Sequence, residues 1–173
     1  MSLAYVMTDK PGATDRLLCD FAALCAARGR RAAGVVQTNT DCADSRLCDM
    51  DVRVLPNGEV FRISQSLGAN ARGCRLDPAA LEQAVAAVEA GLSHRPDLLI
   101  VNKFGKHEAN GRGFRDLIAH CLADGIPVLL GVNRGNHASF LKFSDGLATQ
   151  LDASKQALDN WAQEVLPQGP HAA

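Results

Sequence analysis

Apolar residues along this chain occur either in short continuous runs or at intervals of three and four positions. The continuous runs are typical of buried strands, and the wider spacing is typical of helices that bury one face. The pattern predicts strands over residues 3–7, 32–37, 98–101 and 127–132. It predicts helices over residues 14–28, 78–92, 114–122 and 154–166.

Two local sequence patterns predict a hairpin and the start of a helix. Apolar residues at 52–55 and 60–63 flank the turn-forming sequence Pro-Asn-Gly, which predicts an antiparallel hairpin at about residues 51–64. Asp77 precedes Pro78, and a capping carboxylate followed by proline at the first helical position is typical of a helix start. The hairpin therefore interrupts an otherwise regular alternation of strands and helices.

The order of elements predicts an α/β fold, with a mostly parallel sheet covered by helices on both faces. We expect residues 1–166 to form a single domain and residues 167–173 to form a flexible tail. The loops that follow the parallel strands should meet at one edge of the sheet, where such folds bind ligands. These loops are residues 8–14, 38–48, 103–113 and 133–140.

Composition narrows the function classes. The formal net charge is -1 and aromatic residues make up 5% of the chain, so we expect no nucleic-acid partner. The longest apolar runs are too short to cross a bilayer, and no basic segment precedes an apolar one at the N-terminus, so we expect no membrane insertion. A cytoplasmic protein is expected, either as a homo-oligomer or in association with a transporter.

The chain contains six cysteines, and the sequence divides them into two groups. Those in helical patterns, where a free cysteine is usually a small buried residue, are Cys19, Cys25 and Cys121. Those in predicted loops are Cys42, Cys48 and Cys74. The loop cysteines lack the paired C-x2-C spacing of zinc sites, which favours unpaired thiols. A disulfide or redox pair and a metal site remain the alternatives.

The loop after the first strand resembles a phosphate-binding loop only in part. Such a loop needs the pattern G-x4-G-K-[ST], whereas Lys10, Gly12 and Thr14 are suitable residue types at a different spacing. The free amides at Gly12, Ala13 and Thr14 could still hold an anion at the start of the helix, with help from Lys10. The alternative is an ordinary helix start without a ligand.

The strand over residues 98–101 continues into Asn102 and Lys103. An apolar strand in this position resembles a Walker B motif, which should end in an aspartate that holds magnesium. An amide does not supply the negative charge, and a lysine does not replace the general base without a large fall in its pKa. The sequence therefore makes a magnesium cofactor and magnesium-dependent hydrolysis doubtful.

The next loop combines one carboxylate with many cations. Glu108 is the nearest acid, and it is expected in a solvated ion-pair network or, with His107, as a weak catalytic candidate. The cations of this region, which include two from an earlier loop, are Lys103, Lys106, Arg112, Arg115, Arg72 and Arg75. Such cations among glycines favour an oxyanion or a nucleotide phosphate as ligand, with solvated surface charge as the alternative.

Three segments carry a family resemblance: SQSLGANARGCRLDPAALEQA, PDLLIVNKFGKHEANGRGFRDLIA and GIPVLLGV. They closely resemble an uncharacterised bacterial domain family whose genes are sometimes found near molybdate transporter genes. That family looks like a diverged relative of thermophile-type P-loop nucleoside-triphosphatases, whose matching strand ends in D-E-I-G-K-M-E. The resemblance implies a three-layer P-loop-like fold and places Asn102 and Lys103 at the acidic pair. Gly105, Lys106 and Glu108 match the remainder of the motif.

Three hypotheses follow. The first is a module that binds an oxyanion or a nucleotide phosphate without efficient hydrolysis, with a link to molybdate implied by the resemblance. Its binding residues would be Lys10, Gly12, Ala13, Thr14, Asn102, Lys103, Gly105, Lys106 and Arg112. The second is a divergent NTPase or phosphotransferase in which Glu108, Asp9 or Asp41 replaces the missing acid. The third is a structural or assembly protein whose ancestral site has decayed.

Overall fold

The computed structural model describes residues 2–40, 49–65 and 75–166, and these form an α/β fold. The strands are β1 (Leu3–Val6), β2 (Ala32–Thr40), β3 (Asp49–Val54), β4 (Val60–Arg62), β5 (Leu98–Phe104), β6 (Val128–Val132) and β7 (Ala148–Leu151). The helices are α1 (Ala13–Ala27), α2 (Pro78–Gly91), α3 (Lys106–Ala109), α4 (Arg115–Ala123), α5 (Arg134–Ser144) and α6 (Lys155–Val165). A short 3-10 helix, Leu92–His94, follows α2.

The described strands form one sheet in the order β4-β3-β2-β5-β6-β1-β7. Strands β2, β5, β6, β1 and β7 are mutually parallel, whereas β3 and β4 pair antiparallel at one edge. The predicted mostly parallel sheet and the predicted hairpin are therefore both confirmed. Parallel pairing places the carboxyl ends of β1, β2, β5 and β6 at the same edge of the sheet, where the candidate loops begin.

Helices cover both faces of the sheet, which gives three layers. Successive residues of β5 point to opposite faces, so that Leu98 joins one buried cluster and Leu99 joins the other. Leu18 of α1 and Trp161 of α6 pack on the first face. Helices α2, α4 and α5 cover the second face, where Ile118 and Phe140 are among the fully buried side chains.

The prediction for residues 133–140 was wrong. This segment was expected to be a loop, but it starts helix α5, which leads into a further strand, β7. Asn133 caps the helix, since its side chain accepts a hydrogen bond from the backbone N–H of Asn136 at 2.9 Å. Phe140 is the one large apolar residue of α5 that is fully buried, so the apolar spacing is too weak to reveal a helix. Helix α3 was also missed, because it is only four residues long.

Several predictions fall outside the described residues, including the flexible tail from 167 to 173. The loop cysteines Cys42, Cys48 and Cys74 fall there too, as do Asp41 and Arg72. Within the described ranges, none of the helices has both the length and the apolar character that crossing a bilayer requires. The same ranges contain no cluster of three or more histidine, cysteine, aspartate or glutamate side chains arranged to hold a metal ion.

Candidate functional site

The loop between β1 and α1 is a tight turn stabilised by its own polar groups. Gly12 precedes the helix with a left-handed φ of 71°, a conformation that glycine adopts without strain. The Thr8 hydroxyl donates to the carbonyl oxygen of Lys10 at 3.2 Å and lies 2.9 Å from the hydroxyl of Thr14. The backbone N–H of Ala13 donates to the same carbonyl at 3.2 Å. The loop therefore brings two hydroxyls and the start of α1 together.

A buried carboxylate, Asp15, lies in the first turn of α1 and is only 3% exposed. It accepts hydrogen bonds from the side-chain amides of Asn39, at 2.6 Å, and Asn102, at 2.8 Å. The ammonium group of Lys103 lies 3.3 Å from one carboxylate oxygen and 3.4 Å from the other. A buried charge is tolerated when it is paired and hydrogen-bonded in this way. Asp15 thus links α1 to the ends of β2 and β5.

The side chain of Asn102 has only part of its hydrogen-bonding capacity satisfied. Its amide nitrogen donates to Asp15, which fixes its amide oxygen on the other side. That oxygen is buried and has no hydrogen-bond partner among the described residues. An unsatisfied buried acceptor costs about 1–3 kcal/mol. Native proteins rarely retain such a cost, and a functional site is one place where they do.

The polar network continues along β2. The side-chain amide of Gln37, which is 4% exposed, donates to the Asn39 amide oxygen at 2.6 Å. Asn39 in turn donates to Asp15, so the hydrogen bonds run from β2 through α1 to β5. Gln37, Asp15 and Asn102 are three of the six buried polar residues in the described ranges. Buried polar groups thus concentrate at the edge of the sheet where a ligand site was expected.

Two adjoining compartments open beside this network. The smaller compartment has a volume of about 190 Å³ and is lined mainly by the loop after β1, together with Lys103 and Asn133. The larger compartment has a volume of about 690 Å³ and lies between α1 and the end of β2. Both compartments are bordered by Pro11, Gly12, Asp15 and Lys103. The ion pair of Asp15 and Lys103 therefore stands between them.

The structure brings some of the predicted binding residues together and leaves others apart. Those that line the smaller compartment are Lys10, Gly12, Thr14 and Lys103. Asn102 lies behind them through its hydrogen bond to Asp15. Lys106 and Arg112 are exposed and border neither compartment, and Gly105 caps α3 instead.

Glu108 is buried, and the expectation that it belongs to a solvated ion-pair network was wrong. The carboxylate accepts hydrogen bonds from the backbone N–H groups of Gly105, at 2.8 Å, and Phe114, at 3.3 Å. Burial raises the pKa of Glu108 above its usual value, and these backbone hydrogen bonds oppose the rise. The charge is held by backbone amides because the chain from β5 to α4 folds around it. The buried carboxylate of Glu108 therefore stabilises the loop that surrounds it.

His107 pairs with a residue that the sequence did not indicate. Its Nε2 atom lies 2.9 Å from a carboxylate oxygen of Glu82 on α2, and the same oxygen accepts the backbone N–H of Gly113 at 3.0 Å. The contact fastens the loop around α3 to α2. Neither His107 nor Glu108 borders the two compartments, and a catalytic role for either has no support from this geometry.

Two of the three cysteines in the helices are small buried residues, as expected, and the third is partly exposed. Cys25 and Cys121 are buried, and burial raises the pKa of each thiol to about 11. Cys19 is partly exposed and lies in the wall of the larger compartment, where its thiol donates to the carbonyl oxygen of Gln37 at 3.6 Å. Burial also raises the pKa of Cys19. These three thiols are free.

Sequence reasoning missed the residues at the centre of the network, namely Asp15, Asn39 and Gln37. Asp15 directly follows the predicted loop, and the two amides lie at the end of β2, two residues apart. Residues two apart on a strand point to the same face, so Gln37 and Asn39 could have been recognised as a pair beside the site. The contact of Asn39 with Asp15 depends on tertiary structure and has no sequence signal.

Comparison with solved structures places the chain among P-loop NTPase-like folds. It is similar to the crystal structure of THEP1 from the hyperthermophile Aquifex aeolicus, with a TM-score of 0.68 and 14% identity, over 95% of this chain and 99% of that one. It is also similar to the solution structure of a human cancer-related nucleoside triphosphatase, with a TM-score of 0.64 and 15% identity, over 95% of each chain. At these identities the similarity shows the fold alone, and it confirms the predicted three-layer fold.

A sequence relative adds a second line of comparison. The chain is 37% identical over 151 residues to the "Molybdenum import ATP-binding protein ModC 2" of Bradyrhizobium diazoefficiens. This match covers 87% of the chain but only 17% of the length of that protein. Residues 3–161 match the family described as "Protein of unknown function (DUF2478)". The chain therefore belongs to this family, and its fold is P-loop NTPase-like.

Proposed function

We propose that this protein is a phosphate- or oxyanion-binding module that holds its ligand without hydrolysing it. The observation that carries the proposal is the position of Lys103, whose side chain is 39% exposed and lines the smaller compartment beside Lys10. Asp15 contacts Lys103 from the buried side and holds the ammonium in place. The exposed side of the ammonium remains available to an anion next to the hydroxyls of Thr8 and Thr14.

The residue at the end of the central strand supports binding rather than turnover. Magnesium in P-loop enzymes is held by an aspartate at the end of the central strand. The corresponding strand here continues into Asn102, whose nitrogen faces Asp15, and into the cation Lys103. Asp9 borders the smaller compartment but its carboxylate is 2.8 Å from Arg134, in an exposed ion pair. The charges of this site favour an anion without magnesium.

The ligand class includes phosphate, sulfate, molybdate and the phosphate of a nucleotide. All are tetrahedral oxyanions that accept hydrogen bonds from ammonium, hydroxyl and backbone N–H groups. A link to molybdate uptake or use rests on the name of the relative from Bradyrhizobium diazoefficiens and on the family resemblance of the sequence. The proposed link makes molybdate a necessary member of any ligand panel.

A thermal-shift panel tests the proposal. Phosphate, sulfate, molybdate, ADP and ATP would each be added with EDTA and with magnesium, since a ligand that binds only the folded state raises Tm. We expect at least one of these anions to raise Tm equally well in EDTA, and Lys103→Met or Lys10→Ala to abolish the shift. Lys142→Ala, an exposed lysine on α5, is the matched control. No shift with any anion, or a shift that requires magnesium together with phosphate release, would overturn the proposal.

A further inference from the structure

Strand β7 lies at one end of the sheet, and none of the described residues pairs with its outer side. An edge strand of this kind presents a row of backbone N–H and C=O groups to another strand. Natural sheets usually block such edges with proline, charged side chains or bulges. The strand sequence Ala-Thr-Gln-Leu contains neither proline nor a charged residue, and its register with β1 is unbroken. The β7 edge is therefore open to a further strand.

The opposite edge of the sheet, at β4, is better protected. The backbone N–H of Asp77 donates to the carbonyl oxygen of Ile63 at 2.8 Å. The backbone N–H of Gln65 donates to the carbonyl oxygen of Arg75 at 2.6 Å. The chain that follows β4 is thus already paired with the chain that precedes α2. Arg62 also places a charged side chain within β4 itself, so the two edges differ in the way that separates a blocked edge from an open one.

Exposed apolar side chains flank the β7 edge. Leu147 directly precedes the strand and is 59% exposed, and Leu141 on the last turn of α5 is 44% exposed. The Tyr5 hydroxyl shows which side of α5 faces β7, because it lies 3.0 Å from His137 Nε2 and donates to the Gln150 amide oxygen at 3.0 Å. Leu141 comes one turn after His137, so it lies on the same side of α5. The open backbone of β7 therefore has apolar surface beside it.

The β7 edge is complementary to itself when two strands run antiparallel. Residues directly opposite each other in such a pair point to the same face of the sheet. A register centred on Thr149 places Leu147 of each copy opposite Leu151 of the other. Apolar side chains then meet on both sides of the centre. The strand can in this way serve as its own partner.

The charges around the edge also permit two copies to meet. The charged residues that precede the strand on α5, face β7 from α5 or follow the strand are Arg134, Lys142, Asp145, Asp152 and Lys155. Arg134 is already paired with Asp9 at 2.8 Å. Lys155 is paired with Asp20 at 2.9 Å. Antiparallel association brings the flank before the strand to the flank after it, and both flanks contain acids and bases, so unlike charges can be matched.

We propose that two copies of this chain associate through their β7 edges, antiparallel and about a twofold axis, so that their sheets become one. An interface of this symmetry closes after two copies. A four-residue strand and its flanking leucines form a small contact beside the roughly 1,200–2,000 Å² that stable interfaces bury, so the dimer is weak, with a Kd of about 10 µM. The inference concerns a different surface from the anion site and is independent of the proposed function.

Sedimentation equilibrium of the full chain tests for the dimer without any ligand. The protein would be examined at concentrations on either side of the expected Kd, from about 1 to about 300 µM. We expect the average mass to rise from 18.4 kDa towards twice this value. A constant mass over the whole range would overturn the inference, and so would growth beyond the dimer.

Charged variants at the centre of the register test where the copies meet. Thr149 is exposed, and in the proposed dimer Thr149→Lys or Thr149→Glu places two like charges opposite each other. We expect each variant alone to dimerise at least tenfold more weakly, and an equimolar mixture to regain a one-to-one dimer. Circular dichroism would check that both variants are folded. A mixture that associates no better than either variant alone would overturn the inference.

A second pair of variants tests the apolar flank and does not depend on a new charge. Leu147→Ser should weaken dimerisation at least fivefold. Val60→Ser is the matched control, because Val60 lies on β4 at the opposite edge and is 57% exposed. This control should change the Kd by less than twofold. Equal effects of the two substitutions, or a larger effect of Val60→Ser, would overturn the inference.

Discussion

Removing the carboxylate of Asp15 should destabilise the protein more than its position on a surface helix would imply. Asp15→Ala leaves the Asn102 amide without any hydrogen-bond partner at either end, since its oxygen is already unpaired. Leaving a buried polar group unsatisfied costs about 1–3 kcal/mol. Asn39 and Lys103 are partly exposed, and water can replace their contacts to Asp15 at little cost. We therefore expect a loss of about 2–3 kcal/mol.

Urea unfolding at pH 7 measures this loss. Asp20→Ala is the control, because Asp20 is on the same helix and forms an exposed ion pair with Lys155, which should contribute no more than about 1 kcal/mol. Asp15→Asn keeps the side-chain volume and one acceptor, so it should lie between the control and Asp15→Ala. A change below about 0.5 kcal/mol in Asp15→Ala would be typical of a surface position and would refute the buried network.

The same variants test whether Asp15 moderates the charge of the site. Asp15→Asn removes a negative charge beside Lys103, where an anion is proposed to bind. Two like charges about 4 Å apart repel by about 1 kcal/mol even in water-like surroundings. Phosphate should therefore bind about fivefold more tightly to Asp15→Asn than to the unmodified protein, as calorimetry would show. Weaker binding would mean that Asp15 contributes more by holding Lys103 in place than it costs by repelling the anion.

Three further predictions concern other parts of the fold. Gly113→Ala should destabilise the protein by about 1–2 kcal/mol more than Gly111→Ala in urea unfolding. Both glycines have a positive φ, but only at 113 would the new Cβ clash with a Glu108 carboxylate oxygen. Equal losses would refute the clash. Burial raises the pKa of Glu108, so ionising this carboxylate lowers the free energy of unfolding. The free energy of unfolding of the unmodified protein, relative to that of Glu108→Gln, should therefore fall as pH rises from about 4.5. A relative free energy of unfolding that rises with pH would contradict the raised pKa. Cys25 and Cys121, each with a pKa of about 11, should resist alkylation at pH 8 until the protein unfolds, and rapid labelling of the folded protein would contradict their burial.

Local signals made most of the fold predictable. Asp77 does cap α2, since its carboxylate accepts the backbone N–H groups of Ala79 and Ala80 at 2.9 and 3.2 Å. The continuous apolar run of β5 is buried on both faces, as expected of a central strand. Helix α5 and strand β7 were missed, because much of their surface is exposed and they carry few apolar residues. The periodic spacing of apolar residues reflects burial, so it does not reveal a helix or strand that is only partly buried.

The position of the candidate site could be predicted from the sequence, but the residues at its centre could not. The rule that ligands bind at the carboxyl ends of parallel strands located the edge of the sheet, and Lys10 and Lys103 lie there together. Asp15 looked like an ordinary acid near the start of a helix, where carboxylates are common. Its contacts with Asn39 and Asn102 join three elements that are distant in sequence. Such a network exists only after the chain has folded.

One calorimetric experiment tests whether the site binds an anion without magnesium and without turnover. ATP and inorganic phosphate would be titrated into the protein in EDTA and again in magnesium, with phosphate release followed in the same samples. We expect binding of equal affinity in both buffers, loss of binding in Lys103→Met, and no phosphate release. Binding that appears only with magnesium, or release of phosphate from ATP, would contradict it.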